Sequence, residues 1–146
     1  MITRWYSWIE RLLFYERSAH KFALACAFGI YVAFSPFIGF HTAMVVLFSW
    51  LFTLNFTIML TVSVAINNPW TMIPVYGIGY AFGDWFLQST CGITHQANPA
   101  WLHGITSWIT QKTGFPSVSF WGFLLGGNIL GLVAAFISYP LIKGYA

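Results

Sequence analysis

The polar side chains that could do chemistry in this chain gather at two proline breaks. The first break, SPFIGFHT at residues 35–42, places an imidazole between a proline and a long apolar run. The second break, NNPWT at residues 67–71, supplies two carboxamides and a hydroxyl. Proline interrupts helical hydrogen bonding, so each break frees backbone N–H and C=O groups that need partners. Hydroxyls, amides and an imidazole can serve as those partners, and the same groups can contact an anionic head group or carry a proton.

The candidate ligand-binding residues come from these breaks and from the isolated polar groups near them. His41 is the only histidine of the apolar stretch, and it would carry a proton, contact an anionic head group or hydrogen-bond within its own loop. Asp84 is the only acidic residue after residue 16, and it would pair with His41 or Lys112 or be solvated at a membrane surface. The second break would line a site or satisfy its own Asn-Pro turn. The full set is Ser35, Pro36, Gly39, His41, Thr42, Asn55, Asn67, Asn68, Pro69, Thr71, Tyr76 and Asp84.

The sequence offers few residues suited to catalysis or metal binding. Three acidic residues and four scattered histidines do not readily form a carboxylate pair or a three-ligand metal site. The sequence has no G-x-S-x-G, H-E-x-x-H, Walker or Rossmann pattern. We therefore predict no catalytic residues, no metal and no cofactor. A non-enzymatic function is favoured, and an enzyme acting on a lipid-linked substrate would have to use His41 as its base.

Composition predicts an integral membrane protein. Of the 146 residues, 58% are hydrophobic and 6% are charged, and the mean hydropathy is +0.72. Soluble domains carry about 25% charged residues. The net charge is +3, and four of the six basic residues lie in the first 21 positions. This bias predicts a cytoplasmic N-terminus, not a nucleic-acid-binding face.

The elements that would position the candidate residues form one all-helical membrane domain. Residues 2–16 have one apolar and one polar face, which predicts an amphipathic helix lying in the membrane surface or packed on the protein. Its two acids and patterned aromatics argue against a cleaved signal peptide. The predicted divisions are a cytoplasmic amphipathic helix at 1–21, a broken-hairpin core at 22–90, an interfacial segment at 91–118 and a transmembrane helix at 119–142. The helix of the interfacial segment is predicted to start at Asn98–Pro99.

The core must fold back on itself. Residues 22–83 carry no charge, and a continuous helix of that length would be about 93 Å long, whereas the hydrocarbon core is ~30 Å thick. The pieces 22–34, 43–53 and 56–66 are each too short to cross alone, which favours two Pro/Gly-broken, re-entrant hairpins. Alternatively, 43–66 is one span, which would place the breaks on opposite sides of the membrane. Paired interrupted segments are typical of transporter sites.

Glycines predict close helix packing. Gly77, Gly79 and Gly83 lie on one segment, and Gly122, Gly126, Gly127 and Gly131 lie on the transmembrane helix. We expect these faces to pack helices together or to dock a second copy or a partner. Asn128, between two of the glycines, is expected to hydrogen-bond to a neighbouring helix.

The motifs SPFIGFHTAM, LNFT and NNPWTMIPVYGIGYAFGDW occur in that order and resemble a bacterial membrane family, domain of unknown function 2062, over residues 20–142. The resemblance implies a multi-pass inner-membrane protein without an assigned activity. Some relatives are joined to glycosyltransferase-like domains, which implies a link to lipid-linked sugars. The broken hairpins are also similar in outline to families proposed to move polyprenyl-phosphate lipids. The matching positions are Pro36, Gly39, His41, Asn55, Asn68, Pro69, Thr71, Pro74, Tyr76 and Gly83.

We predict a small transporter or translocase of an anionic lipid or lipid-linked head group, with His41 or Asp84 coupling protons. The alternative is a structural or assembly subunit of an inner-membrane complex for lipid-linked glycan synthesis. The expected partners are membrane lipids, a second copy of the chain or a membrane glycosyltransferase, and no nucleic acid. The residues predicted to contact the head group are Ser35, His41, Asn68 and Thr71.

Overall fold

A computed structural model of the chain describes residues 18–92, 98–114 and 119–146, so the amphipathic helix predicted at 2–16 lies outside the described residues. The described part is all-helical. A 3₁₀ turn, Ala100–Leu102, precedes the fifth helix. The α-helices are α1 (Ala19–Phe34), α2 (His41–Leu51), α3 (Phe56–Ile66), α4 (Met72–Cys91), α5 (His103–Thr113) and α6 (Phe120–Tyr145).

The interruption between α2 and α3 shows that a single helix over 43–66 is wrong. Helix α2 ends at Leu51, and Thr53 adopts a left-handed backbone with φ 51°. Asn55 then starts α3, because its Oδ1 accepts hydrogen bonds from Thr57 N at 2.9 Å and Ile58 N at 3.2 Å. A side-chain oxygen at this position satisfies amides that have no partner inside the helix.

Helix α4 begins at Met72 and includes Pro74 in its first turn. Proline is tolerated there because the first amides of a helix have no intrahelical partner. The capping position of the 3₁₀ turn is held by Pro99 and not by Asn98 as predicted, and Asn98 Oδ1 accepts from Phe120 N at 2.8 Å. It thereby ties the segment after α4 to the start of α6.

Helix α1 lies at the centre of the described bundle and packs against α2, α3 and α6. Its buried face is made of small residues, which lets neighbouring backbones approach closely. A Cβ at Gly29 would lie 2.8 Å from Met59 O on α3. The apolar core beside it consists of Ala25, Cys26, Val32, Val45, Leu54, Ile58 and Met59.

Helices α4 and α6 meet along a line that we call the glycine seam: Gly79 and Gly83 on α4, and Gly122 and Gly126 on α6. A Cβ at Gly83 would overlap Gly122 O and lie 2.8 Å from Gly126 N. A Cβ at Gly126 would overlap Gly79 O. These glycines therefore pack helices of the same chain.

The second glycine face of α6 is also filled from within. A Cβ at Gly127 would lie 2.7 Å from Phe34 O of α1, and one at Gly131 would lie 3.1 Å from Tyr31 O. Of the two alternatives for these glycines, the structure therefore shows the packing of helices within one chain, because α1 and α4 occupy both faces. A partner would have to use another surface.

Helix α6 is, within the described residues, the helix that is long and apolar enough to cross a membrane. It has 26 residues, and its most apolar 18-residue window has a mean hydropathy of 1.9. Helices α1, α2 and α3 are apolar but shorter than 18 residues. Many large apolar side chains face outward, including Trp70, which is 90% exposed, and Phe136, which is 81% exposed.

Candidate functional site

The two proline breaks meet at one point. His41 Nε2 lies 3.2 Å from Tyr76 Oη and 3.4 Å from Asn67 Nδ2. Asn67 Nδ2 donates to Tyr76 Oη at 2.8 Å, and Ser35 O lies 3.2 Å from His41 Nε2. We call these four residues the polar junction. They come from the end of α1, the start of α2, the end of α3 and the start of α4, so four helix termini converge here.

Ser35 shows why the first break exposes a carbonyl to His41. Its backbone is extended, with φ −60° and ψ 132°, as expected for a residue before proline. Its N–H donates to Tyr31 O at 3.0 Å and closes α1, while its buried hydroxyl lies 3.6 Å from Met44 Sδ. The following Pro36 cannot continue the helix, so Ser35 O is free to face the imidazole.

His41 Nε2 faces groups of opposite character. Ser35 O can only accept a hydrogen bond, so it pairs with a protonated Nε2. Asn67 Nδ2 can only donate, so it pairs with an unprotonated Nε2, and the Tyr76 hydroxyl can do either. With Asn67 Nδ2 turned toward the ring, His41 Nε2 therefore has a hydrogen-bond partner whether or not it carries a proton.

Asn67 leaves one polar atom of the junction unpaired. Its Oδ1 is buried and has no hydrogen-bond partner in the described residues. Turning the carboxamide over would bury an unpaired NH₂ group at the same position. An unpaired buried polar atom costs about 1–3 kcal/mol. The junction is therefore incompletely satisfied by its own side chains.

The open end of α2 lies beside His41. Phe40 occupies the capping position and offers no side-chain acceptor, and Met44 N is the first amide to bond back, to Phe40 O at 2.9 Å. Thr42 follows His41 and is exposed. The first turn of α2 therefore presents free N–H groups and the positive end of the helix dipole, which attract anions.

The second break contains a turn that satisfies itself. Asn68 Oδ1 accepts from Trp70 N at 3.0 Å and Thr71 N at 3.1 Å, and Asn68 Nδ2 donates to Ala65 O. Thr71 Oγ1 accepts from Asn68 N at 3.1 Å and donates to Ile66 O. The polar groups of Asn68 and Thr71 are thus used inside the turn, as in an Asx turn. This geometry favours the structural interpretation of these two residues over head-group contact.

The comparisons with known proteins identify the family. The family described as "Uncharacterized protein conserved in bacteria (DUF2062)" matches residues 3–145. The chain belongs to this family. The match confirms the resemblance and extends it at both ends. No curated protein and no solved structure matches the chain, so the function of this DUF2062 protein is argued from its geometry.

The remaining candidate residues of this DUF2062 protein lie outside the junction. Asn55 is at the opposite end of α3 from Asn67, about 18 Å along the helix, and acts as a cap. Pro36 is buried, and its Cδ lies 3.1 Å from where a Cβ of Gly127 would be. Gly39 is exposed with φ 88°, a backbone conformation that favours glycine. Pro69 is exposed within the self-satisfied turn.

Asp84 is not part of the junction. It lies two turns after Tyr76 on α4, next to Gly122 of the glycine seam, and its Oδ2 accepts from Gln88 Nε2 at 2.8 Å. Of the alternatives given for Asp84, the pair with His41 is therefore not formed. In the part of the chain that the structure describes, no three His, Cys, Asp or Glu residues are placed to hold a metal ion.

Two polar contacts between α1 and α6 were not anticipated as pairs. Tyr31 Oη donates to Asn128 Oδ1 at 2.8 Å, which confirms that Asn128 bonds to a neighbouring helix. His20 Nδ1 lies 2.7 Å from Tyr139 Oη. The signal in the sequence was the isolated polar residue on an apolar helix. The partner could not be named from it because the antiparallel pairing of α1 and α6 is a tertiary property.

Proposed function

We propose that this DUF2062 protein is a multi-pass inner-membrane protein that binds an anionic lipid head group at the polar junction and moves it across the bilayer. The observation that carries the proposal is the convergence of two distant proline breaks on His41, Asn67 and Tyr76 in an otherwise apolar chain. Polar and ionisable groups at membrane depth are costly, and they commonly mark substrate or ion pathways.

The proposed orientation follows from the pairing of α1 and α6. These helices run antiparallel, because His20 pairs with Tyr139 while Tyr31 pairs with Asn128. The start of α1 and the end of α6 therefore share one end of the bundle, which carries Lys21 and Lys143. The positive-inside rule favours the cytoplasm for this end, and the polar junction would then face the outer half of the bilayer.

The length of α6 supports membrane depth for the junction. A 26-residue helix is about 39 Å long, more than the ~30 Å of hydrocarbon it would cross. Pro36 packs at Gly127, the eighth residue of α6, about 11 Å from its first residue. The junction would then lie inside the hydrocarbon layer, where interrupted backbone is tolerated only against protein or a wet cavity.

The chemistry of the junction fits a phosphate-bearing head group. The uncapped amides of α2 and a protonated His41 both donate to anionic oxygens. When His41 loses its proton, Nε2 turns from donor to acceptor and can pair with Asn67 instead of with the anion. Anion release would in this way accompany proton release. Proton coupling is assigned to His41, since Asp84 lies at the glycine seam.

The test is lipid movement in vesicles containing the purified full chain. Fluorescent phosphatidylglycerol is placed in one leaflet, and its exposure to a reductant outside reports translocation. H41A and N67A should each slow translocation by about tenfold, the effect expected when one hydrogen bond to a charged group is lost. G77A is the matched control, because a Cβ at Gly77 would meet nothing within 4 Å. Wild-type rates in both folded variants would overturn the proposal.

A second candidate function is an assembly subunit that docks a membrane glycosyltransferase. It is favoured by the surface after the second break, where Trp70 is 90% exposed and Ile73 is 80% exposed. Large apolar side chains at one place are typical of binding surfaces as well as of lipid-facing ones. Co-purification from native membranes decides this case: a partner that is lost in W70A but kept in H41A would favour assembly over transport.

A further inference from the structure

An apolar groove lies between α1 and α6, away from the polar junction. Its volume is about 440 Å³, within the range of pockets that enclose small molecules. The wall includes Leu24, Phe28 and Tyr31 from α1 and Leu132, Ala135 and Phe136 from α6. Its surface is almost wholly apolar, because the two hydroxyls of the lining are hydrogen-bonded: that of Tyr31 donates to Asn128, and that of Tyr139 pairs with His20.

One end of the apolar groove is cationic. Tyr139 closes the lining there, and His20 Nδ1 lies 2.7 Å from its hydroxyl. Lys143 Nζ lies 5.8 Å from the centre of the Tyr139 ring. Lys21 lies in the same first turn of α1 as His20, and His20, Lys21 and Lys143 are exposed. A histidine and a lysine thus lie where the groove ends, and Lys21 is on the same first turn of α1.

Acidic side chains are distant from this end in the part of the chain that the structure describes. Its one acidic side chain is that of Asp84, which lies beside Gly122. Gly122 and Tyr139 are separated by 17 positions on α6, about 26 Å along the axis. The charged side chains described at this end are therefore all basic.

We propose that the apolar groove binds an anionic phospholipid, with an acyl chain along α1 and α6 and the phosphate at Lys143 and His20. The charge complementarity selects the occupant: the groove accepts a hydrocarbon chain, and the lysines at its end accept a negative head. A zwitterionic lipid would gain less from the lysines, and inorganic phosphate would gain nothing from the apolar wall. Each juxtamembrane lysine raises the affinity for anionic lipids about fivefold.

This site is distinct from the one in the proposed function. His20 and Ser35 are at opposite ends of α1, 15 positions or about 23 Å apart. Binding at the groove does not need His41, Asn67 or Tyr76. With the proposed orientation the groove would hold its lipid head at the cytoplasmic surface, whereas the junction would lie toward the opposite surface.

The test is native mass spectrometry of the purified full chain with dioleoyl phosphatidylglycerol or dioleoyl phosphatidylcholine. We expect the chain to retain more phosphatidylglycerol than phosphatidylcholine. K143Q should weaken phosphatidylglycerol retention by about fivefold and leave phosphatidylcholine unchanged. K112Q, which removes a lysine on α5, is the matched control and should behave as the unsubstituted chain. Equal retention by K143Q and K112Q would overturn the proposal.

A second pair of variants tests the groove itself. A135W fills the groove and should reduce retention of both lipids, whereas V133W adds the same ring on an exposed position of α6 outside the lining. If A135W instead converts a dimer into a monomer without losing lipid, the groove binds a second copy and the proposal is wrong. K143E tests the proposal even if A135W does not fold, because Lys143 is exposed and its substitution does not disturb the packing. K143Q should lower phosphatidylglycerol retention by the same factor in the H41A background as in the unsubstituted chain, which separates this site from the junction.

Discussion

The glycine seam and the polar junction both bring helices into close contact, but they are built from opposite materials. At the seam, backbone meets backbone, and a Cβ at Gly83 would overlap Gly122 O. At the junction, side chains meet at hydrogen-bond distance, and Asn67 Oδ1 is buried without a partner among the residues that the structure describes. Packing alone accounts for the seam. It does not account for the junction, where apolar residues would fill the same space without an unpaired atom.

The strongest test of this comparison is Gly83→Ala. The added methyl group meets the backbone of α6 at Gly122 and Gly126, which cannot rotate away as a side chain could. Overpacking of a tight contact costs about 3 kcal/mol, and a backbone clash is expected at or above that value. Thermal unfolding in detergent should show a large fall in the transition temperature.

The matched control for this prediction is Gly77→Ala on the same helix. A Cβ at Gly77 meets nothing within 4 Å, and alanine is the better helix former by about 1 kcal/mol. The control should be as stable as the unsubstituted chain or slightly more stable. If both substitutions destabilise the chain equally, close packing at the seam is not the reason for its glycines.

Thr71→Val tests whether the Thr71 hydroxyl stabilises the turn of the second break. The substitution keeps the shape but removes the hydroxyl that accepts from Asn68 N and donates to Ile66 O. Two backbone groups lose their partner, which is expected to cost about 2 kcal/mol. Urea unfolding of the detergent-solubilised chain measures the loss, and Thr71→Ser should restore most of it. An unchanged stability in Thr71→Val would show that the hydroxyl serves a ligand and not the turn.

Asn55→Ala tests a candidate residue that the geometry assigns to a cap. Loss of the bonds to Thr57 N and Ile58 N should lower stability by about 1 kcal/mol, and Asn55→Ser should preserve most of the cap. Lipid translocation at a temperature where the variant is folded should be unchanged, since Asn55 is about 18 Å along α3 from Asn67. A translocation rate that falls in Asn55→Ala and not in Gly77→Ala would show that Asn55 belongs to the site.

The helices themselves could be predicted because breakers and apolar runs are local signals. The segment 56–66 coincides with α3, and 22–34 and 43–53 end within two or three residues of the helix ends in the structure. Errors occurred where a side chain had two suitable uses. Asn98 fits a helix cap as well as a bond to a distant amide, and its Oδ1 accepts from Phe120 N. Only the position of the start of α6 decides between these uses.

The candidate site was predicted at the level of segments more than of residues. The two breaks were selected for their prolines and polar side chains, but no periodicity indicates that His41, Asn67 and Tyr76 meet at one point. The glycines left two alternatives open for a related reason. A small-residue face predicts close approach without naming the neighbour, and the structure shows that α1 and α4 are the neighbours.

Tyr76→Phe is expected to change stability as little as Asn55→Ala, and it sharpens the comparison most. It removes one hydroxyl, the acceptor of the bond from Asn67 Nδ2 at 2.8 Å and a neighbour of His41 Nε2 at 3.2 Å. The free energy of unfolding should fall by about 1 kcal/mol, because the net value of one hydrogen bond is of that size. Translocation should fall further than this stability loss accounts for, since His41 and Asn67 lose the group that links them.

Tyr145→Phe is the control, because Tyr145 is 94% exposed at the end of α6. If Tyr76→Phe slows translocation only in proportion to the fraction unfolded, the junction is a packing device like the glycine seam. If translocation fails in a fully folded variant, the hydroxyl belongs to the site.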